Sequence, residues 1–249
     1  MTLEDRFNEF VKLIEGAEVI DDLQLTPEQK KRKKSDFFFE SGQIICELKT
    51  LREDMGHKVS RALEKLYAHS KRPILYDEDS LHEFLRYLNF VEEIDKKTAS
   101  AVVSSVDNAV EGANRQIRST KQSFKLKDSV GVLVILNETV DVLSPPLVGA
   151  WLQSLFCKRT PEGQVRFPHL TAALFISECH YMVDTPEPTQ PVTIVQNDFA
   201  ENSEAGCNFL GKLLQGWADY NKSPLRTLDS KSPLDLNCRS FTERRIIIL

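Results

Sequence analysis

Two uninterrupted apolar runs constrain the fold of this chain more than any other feature. VGVLVILNE occupies residues 130–138 and TAALFIS occupies residues 171–177. Runs of this length without polar alternation are typical of strands that are buried on both faces. Because such strands need helices above and below them, the runs predict an α/β domain with a central mixed sheet flanked by helices.

Helical periodicity surrounds these runs. Apolar residues recur at helical spacing in segments that we expect to form helices, at 3–15, 58–98, 98–122, after Pro145-Pro146, and around 206–220. A further short strand is expected at VTIVQ (192–196). Since neither an internal repeat nor a domain boundary is visible, we expect a single domain over residues 1–249. Residues 52–98 would form a helical insertion and residues 181–249 a C-terminal extension.

Composition excludes several classes of protein. The net charge of −5 argues against a protein that coats nucleic acid or an anionic membrane through bulk electrostatics. The first ten residues, MTLEDRFNEF, are charged and lack the apolar run of a signal peptide. No segment approaches the roughly 20 apolar residues of a membrane span. These features predict a cytoplasmic protein without membrane contacts.

The cysteines indicate neither a zinc site nor a disulfide framework. The five cysteines are scattered and show no Cys/His ligand spacing. Cys179 and His180 are adjacent at the end of the apolar run 171–177. Because adjacent residues of a strand point to opposite faces, we do not expect these two side chains to meet, and we expect Cys179 to be a buried structural residue.

The stretch SDFFFESGQIICELK (35–49) predicts a β-hairpin. Strands at 36–40 and 43–49 would be joined by a tight turn at Ser41-Gly42. Counting outward from that turn pairs Phe39 with Ile44, Phe38 with Ile45 and Phe37 with Cys46. Asp36 then falls opposite Glu47. Asp36, Glu47 and Lys49 then share one face of the hairpin, and the other face carries a set of apolar side chains: Phe37, Phe39, Ile44, Cys46 and Leu48.

Two opposed acids and a lysine have two interpretations. Like charges directly opposite each other in a strand pair are destabilising, and a divalent cation between the carboxylates of Asp36 and Glu47 would allow both to remain ionised. With Lys49 beside them, this is an arrangement suited to phosphodiester hydrolysis. The alternative is that the charges serve solubility on an exposed hairpin face.

The motif resembles a known family signature. Asp36, ten intervening residues and then Glu47-Leu48-Lys49 is similar to the D…(D/E)xK signature of the PD-(D/E)xK nuclease superfamily, the restriction-endonuclease-like fold. The resemblance implies a helix, a three-stranded meander, a further helix and a fourth strand. It implies that Asp36, Glu47 and the Leu48 carbonyl ligate Mg²⁺ or Mn²⁺, and that Lys49 positions or activates the attacking water.

The resemblance extends over residues 1–180, with a nuclease-like core at about 1–51 and 99–180. Ser35 stands where the superfamily often has proline, and the first strand of the meander is weakly marked between residues 17 and 25. Several members carry a Gln or Lys on the helix after the ExK strand, and Gln116 is the corresponding candidate here. Glu4 or Glu15, on the first helix, would be candidates for an additional acidic ligand.

Basic side chains near these elements are candidate nucleic-acid contacts. The end of the helix at 98–122 is rich in basic residues and lacks acidic ones, and another basic run precedes Asp36. Phosphate contacts of this kind provide affinity without reading sequence. The candidates are Lys33, Lys34, Arg115, Arg118 and Lys121. The same charges have a structural alternative, because cations complement the C-terminal end of a helix dipole and basic residues protect strand edges from pairing.

The sequence therefore predicts a metal-dependent nuclease that acts on nucleic acid, with DNA expected before RNA, and it leaves endonuclease and exonuclease action as alternatives. A homodimer is among the expected assemblies, because dimers are common in this superfamily. Two alternatives remain at this stage. One is a nuclease-like module that has lost catalysis and binds nucleic acid or protein, and the other is an α/β interaction protein in which the hairpin charges are incidental.

Overall fold

A computed structural model describes residues 1–51, 103–141, 143–182, 189–225 and 238–240. These residues form a six-stranded mixed sheet flanked by helices, so the predicted α/β class is confirmed. The strand order is β1-β2-β3-β4-β5-β7. Its strands are β1 (Glu18–Val19), β2 (Phe37–Phe39), β3 (Ile44–Leu51), β4 (Val130–Asn137), β5 (Ala172–Ser177) and β7 (Val192–Gln196).

Five helices accompany the sheet in the part of the chain that the structure describes. They are α1 (Leu3–Lys12), α2 (Pro27–Lys31), α3 (Ser104–Phe124), α4 (Pro145–Phe156) and α5 (Ser203–Tyr220). The start of α1 is fixed by a capping box, in which the Thr2 hydroxyl accepts from the Asp5 backbone N–H and the Asp5 carboxylate accepts from the Thr2 N–H. None of the helices described is long and apolar enough to cross a membrane. The predicted helical insertion at 52–98 lies outside the described residues.

The predicted hairpin register is confirmed. β2 and β3 are antiparallel, with Phe37 opposite Cys46, Phe38 opposite Ile45 and Phe39 opposite Ile44. The turn between them places Ser41 and Gly42 at φ values of 57° and 84°. Positive φ at both central residues is what a type I′ hairpin turn requires, and glycine accommodates it without a side-chain clash.

The two apolar runs form the parallel centre of the sheet. β3 pairs in parallel with β4, and β4 pairs in parallel with β5. Every residue of β4 and β5 is buried, as expected for strands that are covered on both faces. The carboxyl ends of β3, β4 and β5 therefore meet at one edge of the sheet, which we call the carboxyl edge; the opposite edge is the amino edge.

Two hydrophobic clusters cover the two faces of the sheet. One face packs against α3 and α4 through side chains that include Ile45, Leu133, Ile117 and Leu152. The other packs against α1 and α5 and includes Phe7 and Trp217 among its members. The hairpin contributes to both clusters, because its side chains alternate between the faces. Asp36, Glu47 and Lys49 alternate in step with Ile45, so their side chains lie on the face that carries α3.

The region expected to be a C-terminal extension contributes to the same sheet. β7 pairs antiparallel with β5, and α5 packs on β4, β5 and β7. A separate two-stranded sheet joins β6 (His180–Met182) to β8 (Cys238–Ser240) beyond the carboxyl end of β5. The described residues 189–225 are therefore part of the central architecture.

Candidate active site

Asp36 lies at the point where β2 begins. Its backbone N–H donates to the Cys46 carbonyl at 3.2 Å, and the ladder between β2 and β3 ends beside it. Its carboxylate oxygen Oδ2 accepts from the Leu48 N–H at 2.7 Å. Burial raises the pKa of Asp36, and the Leu48 N–H partly opposes this increase by stabilising the carboxylate. The aspartate is thus held against the middle of β3.

The Leu48 carbonyl points toward the same place. Backbone groups of alternate residues in a strand face opposite neighbouring strands. The Cys46 carbonyl and the Leu48 N–H both face the β2 side, where Asp36 lies. The N–H and carbonyl of one strand residue face the same side, so the Leu48 carbonyl also faces the β2 side. Since β2 does not extend far enough to pair with Leu48, this carbonyl faces the region of the Asp36 carboxylate.

Glu47 is the most unusual residue of the site. Its side chain is completely buried, and its oxygen Oε2 has no hydrogen-bond partner among the described residues. Burial, with the nearby charge of Asp36, raises the pKa of Glu47 to about 8. An unbonded buried carboxylate oxygen costs free energy, and the Lys49 ammonium and the Ser35 hydroxyl offset only part of the effect of burial on the ionised form.

Lys49 and Gln116 complete what we call the Glu47 cluster: Asp36, Glu47, Lys49 and Gln116. The Lys49 ammonium forms an ion pair with Glu47 Oε1 and donates to Gln116 Oε1 at 2.9 Å. The Gln116 amide in turn donates to the Lys34 carbonyl at 2.9 Å. The structure therefore brings together the four side chains that the sequence proposed for catalysis, from three separate segments of the chain.

Sequence reasoning missed a connection that fixes the segment before Asp36. The Ser35 backbone N–H donates to the hydroxyl oxygen of Thr120 at 2.9 Å, and that hydroxyl donates to the Gln116 carbonyl at 2.9 Å. Both side chains are buried. Thr120 lies one helical turn beyond Gln116, so the two residues lie on the same side of α3. This spacing was the signal in the sequence that Thr120 belongs beside Gln116. A proline at position 35 could not make the bond, because proline has no N–H.

The donor set suits a hard divalent cation. Among the described residues, no group of three or more His, Cys, Asp or Glu side chains is arranged to hold a metal. A cation at this site would instead be held by the carboxylates of Asp36 and Glu47 and by the Leu48 carbonyl, and water would complete its shell. Mg²⁺ commonly retains several waters and takes only one or two carboxylates from the protein. The unbonded Glu47 Oε2 is the atom that such an ion would satisfy.

The five candidate nucleic-acid contacts do not form one surface. Lys33 is exposed just before the site, and Arg115 is exposed next to Gln116 on α3. Lys34 is mostly buried, and its ammonium pairs with Asp21 at 3.4 Å. Arg118 and Lys121 lie on another flank of α3, beside His169, where burial lowers the pKa of His169 and their two positive charges add to that effect.

Two further acids surround the site. The charges of Asp21 and Glu4 both act on Asp36 in the direction that raises its pKa, after the larger effect of burial. Glu4 is in the first turn of α1, which places that end of the helix near the carboxyl edge. Of the two acids on the first helix that the sequence offered as additional ligands, Glu4 is the one that acts on Asp36.

A second polar cluster lies at the carboxyl edge, on the same sheet face as Glu47. We call it the Asn137 cluster, and it consists of Asn137, Ser177, Cys179 and His180. The Asn137 amide nitrogen lies 2.9 Å from the Val140 carbonyl and 3.1 Å from Ser177 Oγ. The Asn137 oxygen accepts from the Val140 N–H at 2.9 Å. All four residues are buried.

One expectation about this second cluster was wrong. Cys179 Sγ lies 3.3 Å from His180 Nδ1, so the two side chains do meet. The strand rule fails here because β5 ends at Ser177 and the chain bends before β6 begins. His180 Nδ1 is also 2.7 Å from Ser177 Oγ, and Nε2 is 2.7 Å from the Asp141 carbonyl. Burial raises the pKa of the Cys179 thiol, which keeps it protonated and makes it a poor nucleophile.

Comparison of the chain with protein-family models, with curated proteins and with solved structures finds no match. The assignment of the site therefore depends on its own geometry and chemistry.

Proposed function

We propose that this chain is a metal-dependent nuclease of restriction-endonuclease-like fold, which hydrolyses phosphodiester bonds at the Glu47 cluster. One observation carries the proposal: a fully buried glutamate, with an unbonded oxygen and a raised pKa, lies beside an aspartate and a lysine. A buried carboxylate with an unbonded oxygen costs free energy, and groups with strongly shifted pKa values concentrate at functional sites.

The order of elements supports the same proposal. α1 is followed by the antiparallel strands β1, β2 and β3, then by α3, and β4 adds in parallel to β3. This is the order of helix, three-stranded meander, helix and fourth strand that the resemblance implies. β1, which was weakly marked in the sequence, is only two residues long.

The site residues divide the work of hydrolysis. A bound Mg²⁺ or Mn²⁺ would supply Lewis-acid activation of water and of the scissile phosphate. Asp36 and Glu47 would hold that ion, together with the Leu48 carbonyl. The Lys49 ammonium, restrained by Glu47 and Gln116, orients the attacking water and stabilises negative charge that develops on the phosphate. Gln116 acts on Lys49, so it is a positioning residue.

A binding module without catalysis is the second candidate, because a specific observation favours it. In the described residues the site is surrounded by acids, with Glu4 and Asp21 close enough to act on Asp36, and Lys34 is already paired. These charges oppose the approach of a phosphate backbone when no cation is bound. Such a module would bind its partner equally well in the presence of a chelator.

The test is cleavage of DNA and RNA with Mg²⁺, with Mn²⁺ and with EDTA. We expect cleavage only with the metal ions, and we expect it to be lost in Asp36→Ala and in Lys49→Ala. Asp22→Ala, which changes an exposed acid on a nearby segment, is the matched control and should retain activity. Circular dichroism verifies that each variant is folded. Cleavage of a closed circular plasmid separates endonuclease from exonuclease action.

Two results would reject the nuclease proposal. The first is that no nucleic acid is cut and calorimetry detects no binding of Mg²⁺ or Mn²⁺. The second is that Asp36→Ala and Lys49→Ala cleave as fast as the unchanged chain, which would place the chemistry elsewhere. Binding of a protein or nucleic-acid partner that persists in EDTA without cleavage would support the binding module instead, and the acids around the site favour a protein partner.

A further inference from the structure

A pocket at the amino edge of the sheet is separate from the Glu47 cluster. It has a volume of about 630 Å³, which lies in the range of small-molecule sites. Ile44 and Val130, the first residues of the adjacent strands β3 and β4, form its floor. Both belong to the cluster on the α1/α5 face, whereas Glu47 points to the α3 face. The pocket and the candidate active site therefore lie at different edges and on different faces.

Three walls surround this floor. One is the β2–β3 turn, one is the connection between α3 and β4, and one is the first half of α5. The α5 wall consists of Ala205, Asn208, Phe209 and Lys212, whose spacing of i, i+3, i+4 and i+7 places them along one stripe of the helix. The Phe209 ring packs at 4.9 Å against Phe39 and remains half-buried, so part of it is available to a ligand.

Positive charge is concentrated around the pocket. Lys125 and Lys127 line the wall between α3 and β4, and Lys212 faces them from α5. The three lysines of the lining outnumber its two acids, Glu40 and Asp128.

One of these two acids also faces a charge outside the pocket. Burial lowers the pKa of Lys121, and the negative charges of Glu201 and Asp128 partly oppose that effect. Lys121 is not part of the lining. Lys121 is therefore close enough to Asp128 to offset part of the negative charge that this acid brings to the pocket.

The backbone around the pocket also has unusual conformations. Of the five non-glycine residues with positive φ in the described chain, three line this pocket: Glu40, Ser41 and Lys125. Glu40 and Ser41 belong to the β2–β3 turn, and Lys125 is the left-handed residue that ends α3, so these conformations shape two of the walls. Gly42 allows the turn to pack closely, since a Cβ added there would lie 3.2 Å from a Leu126 methyl group.

We propose that this pocket binds a nucleotide, with its phosphate on Lys125, Lys127 and Lys212 and its base against Leu126 and Phe209. A flat aromatic base suits the apolar floor and the exposed part of the Phe209 ring, because stacking on aromatic side chains tolerates any base. Asn208 offers an amide that can donate to and accept from the edge of the base. The nucleotide is either free or the phosphorylated end of a strand, because both present the same chemistry.

The experiment measures binding by calorimetry in EDTA, so that a metal-dependent contact at the Glu47 cluster cannot contribute. The probes are adenosine 5′-monophosphate, adenosine, inorganic phosphate and a short 5′-phosphorylated oligonucleotide. We expect adenosine 5′-monophosphate to bind at least about tenfold more tightly than adenosine or phosphate, because only the nucleotide engages both the lysines and the apolar floor. A still tighter oligonucleotide whose affinity requires its 5′-phosphate would identify a strand end.

Variants connect the binding to the pocket. Replacement of both Lys125 and Lys127 by serine should weaken the nucleotide about tenfold or more, and Phe209→Leu, which retains an apolar side chain against Phe39, should weaken it several-fold. The control replaces Lys30 and Lys31, exposed on α2, by serine and should change nothing. Failure of the nucleotide to bind, binding that survives the paired lysine change, or phosphate binding as tightly as the nucleotide would each overturn the proposal. None of these results depends on nuclease activity.

Discussion

The two polar clusters at one face of the sheet differ in how completely protein groups satisfy them. In the Asn137 cluster, the Asn137 amide bonds to backbone and side-chain groups, and both ring nitrogens of His180 have acceptors or donors within 2.7 Å. In the Glu47 cluster, the Glu47 oxygen Oε2 is buried and unbonded. All four members of the Asn137 cluster are buried, whereas in the Glu47 cluster only Glu47 is buried and Asp36, Lys49 and Gln116 are half-buried.

We interpret this difference as the one between a structural network and the ligand site that we propose. A satisfied buried network makes a stable and unique local structure, and removing one member leaves others unpaired. An unsatisfied carboxylate opposes folding until something binds to it. We therefore expect changes in the Asn137 cluster to reduce stability, and changes in the Glu47 cluster to alter pH dependence, metal affinity and activity.

The largest effect on stability is expected from Asn137→Ala. This change removes several hydrogen bonds at once and leaves the Val140 N–H without its acceptor, while the Val140 carbonyl retains the Leu143 N–H. The expected loss is about 3 kcal/mol in the free energy of unfolding, or a decrease of about 10 °C in melting temperature. Asn208→Ala, at an exposed position on α5, should change stability by less than about 0.5 kcal/mol. Chemical denaturation of both variants would test the contrast, and equal stabilities would contradict it.

The next effect is on the pH dependence of the metal-free chain. Burial raises the pKa of Glu47 from 4.5 to about 8, so the folded chain binds a proton more tightly than the unfolded chain. Stability must then decrease as pH rises from about 4.5 to about 8, by up to about 1.4 kcal/mol per pH unit. Asp36 adds a slope of the same sign above its ordinary pKa of 3.8, because burial also raises its pKa.

Glu47→Gln should flatten this slope, because the amide does not titrate. Denaturation at a series of pH values, with EDTA present, measures it. Glu111→Gln, at an exposed ion pair with Arg166, is the control and should leave the slope as it is. An identical slope in Glu47→Gln would mean that Glu47 is not the titrating group. Addition of Mg²⁺ should reduce the slope in the unchanged chain, because a bound cation favours the carboxylate.

The sequence predicted the hairpin and the central sheet well, for physical reasons. The turn at Ser41-Gly42 and the period of two fixed the register of residues 37–46, because a slip by one residue would have turned the three phenylalanines to the wrong faces. The apolar runs of β4 and β5 predicted double burial because no polar position interrupts either strand before its last residues. Local pattern and tertiary structure agree in these elements.

The remaining features depended on contacts between distant residues. Nothing in the spacing of Ser35 and Thr120 indicates that they are bonded, because 84 residues separate them and the contact exists only once α3 has packed on the sheet. The meeting of Cys179 and His180 depended on where β5 ends, and strand ends are poorly marked in a sequence. The basic residues of α3 lie on different flanks, which a charge count along the chain does not reveal.

A smaller effect is expected when the bond between Ser35 and Thr120 is removed. Thr120→Val retains the shape of the side chain but deletes the acceptor of the Ser35 N–H, so the segment that carries Asp36 loses its connection to α3. Substitution of a residue that orients a metal ligand typically weakens metal binding about tenfold or more. We therefore expect Mg²⁺ to bind about tenfold more weakly to this variant. Calorimetry measures it, and Thr120→Ser should restore the affinity.

A double-mutant cycle separates this bond from other effects of Thr120. In a Ser35→Pro background the N–H is already absent, so Thr120→Val should produce little further change in Mg²⁺ affinity. Additive losses in the double variant would show that Thr120 acts through another contact. Melting temperatures of the four chains, measured in EDTA, reveal whether any loss of affinity follows from unfolding alone.

The smallest effects are expected on nucleic-acid binding, from substitution of single basic residues. These substitutions test whether the nucleic acid lies at the Glu47 cluster. Lys33 and Arg115 are exposed beside that cluster, whereas Arg118 lies with Lys121 next to His169. If the scissile strand lies in the candidate active site, Lys33→Ala and Arg115→Ala should each weaken nucleic-acid binding about two- to threefold and reduce the salt slope by about one. Arg118→Ala should have no effect. Affinities measured at several salt concentrations decide this, and a larger effect at Arg118 would place the strand on the His169 flank of α3, away from the unsatisfied carboxylate.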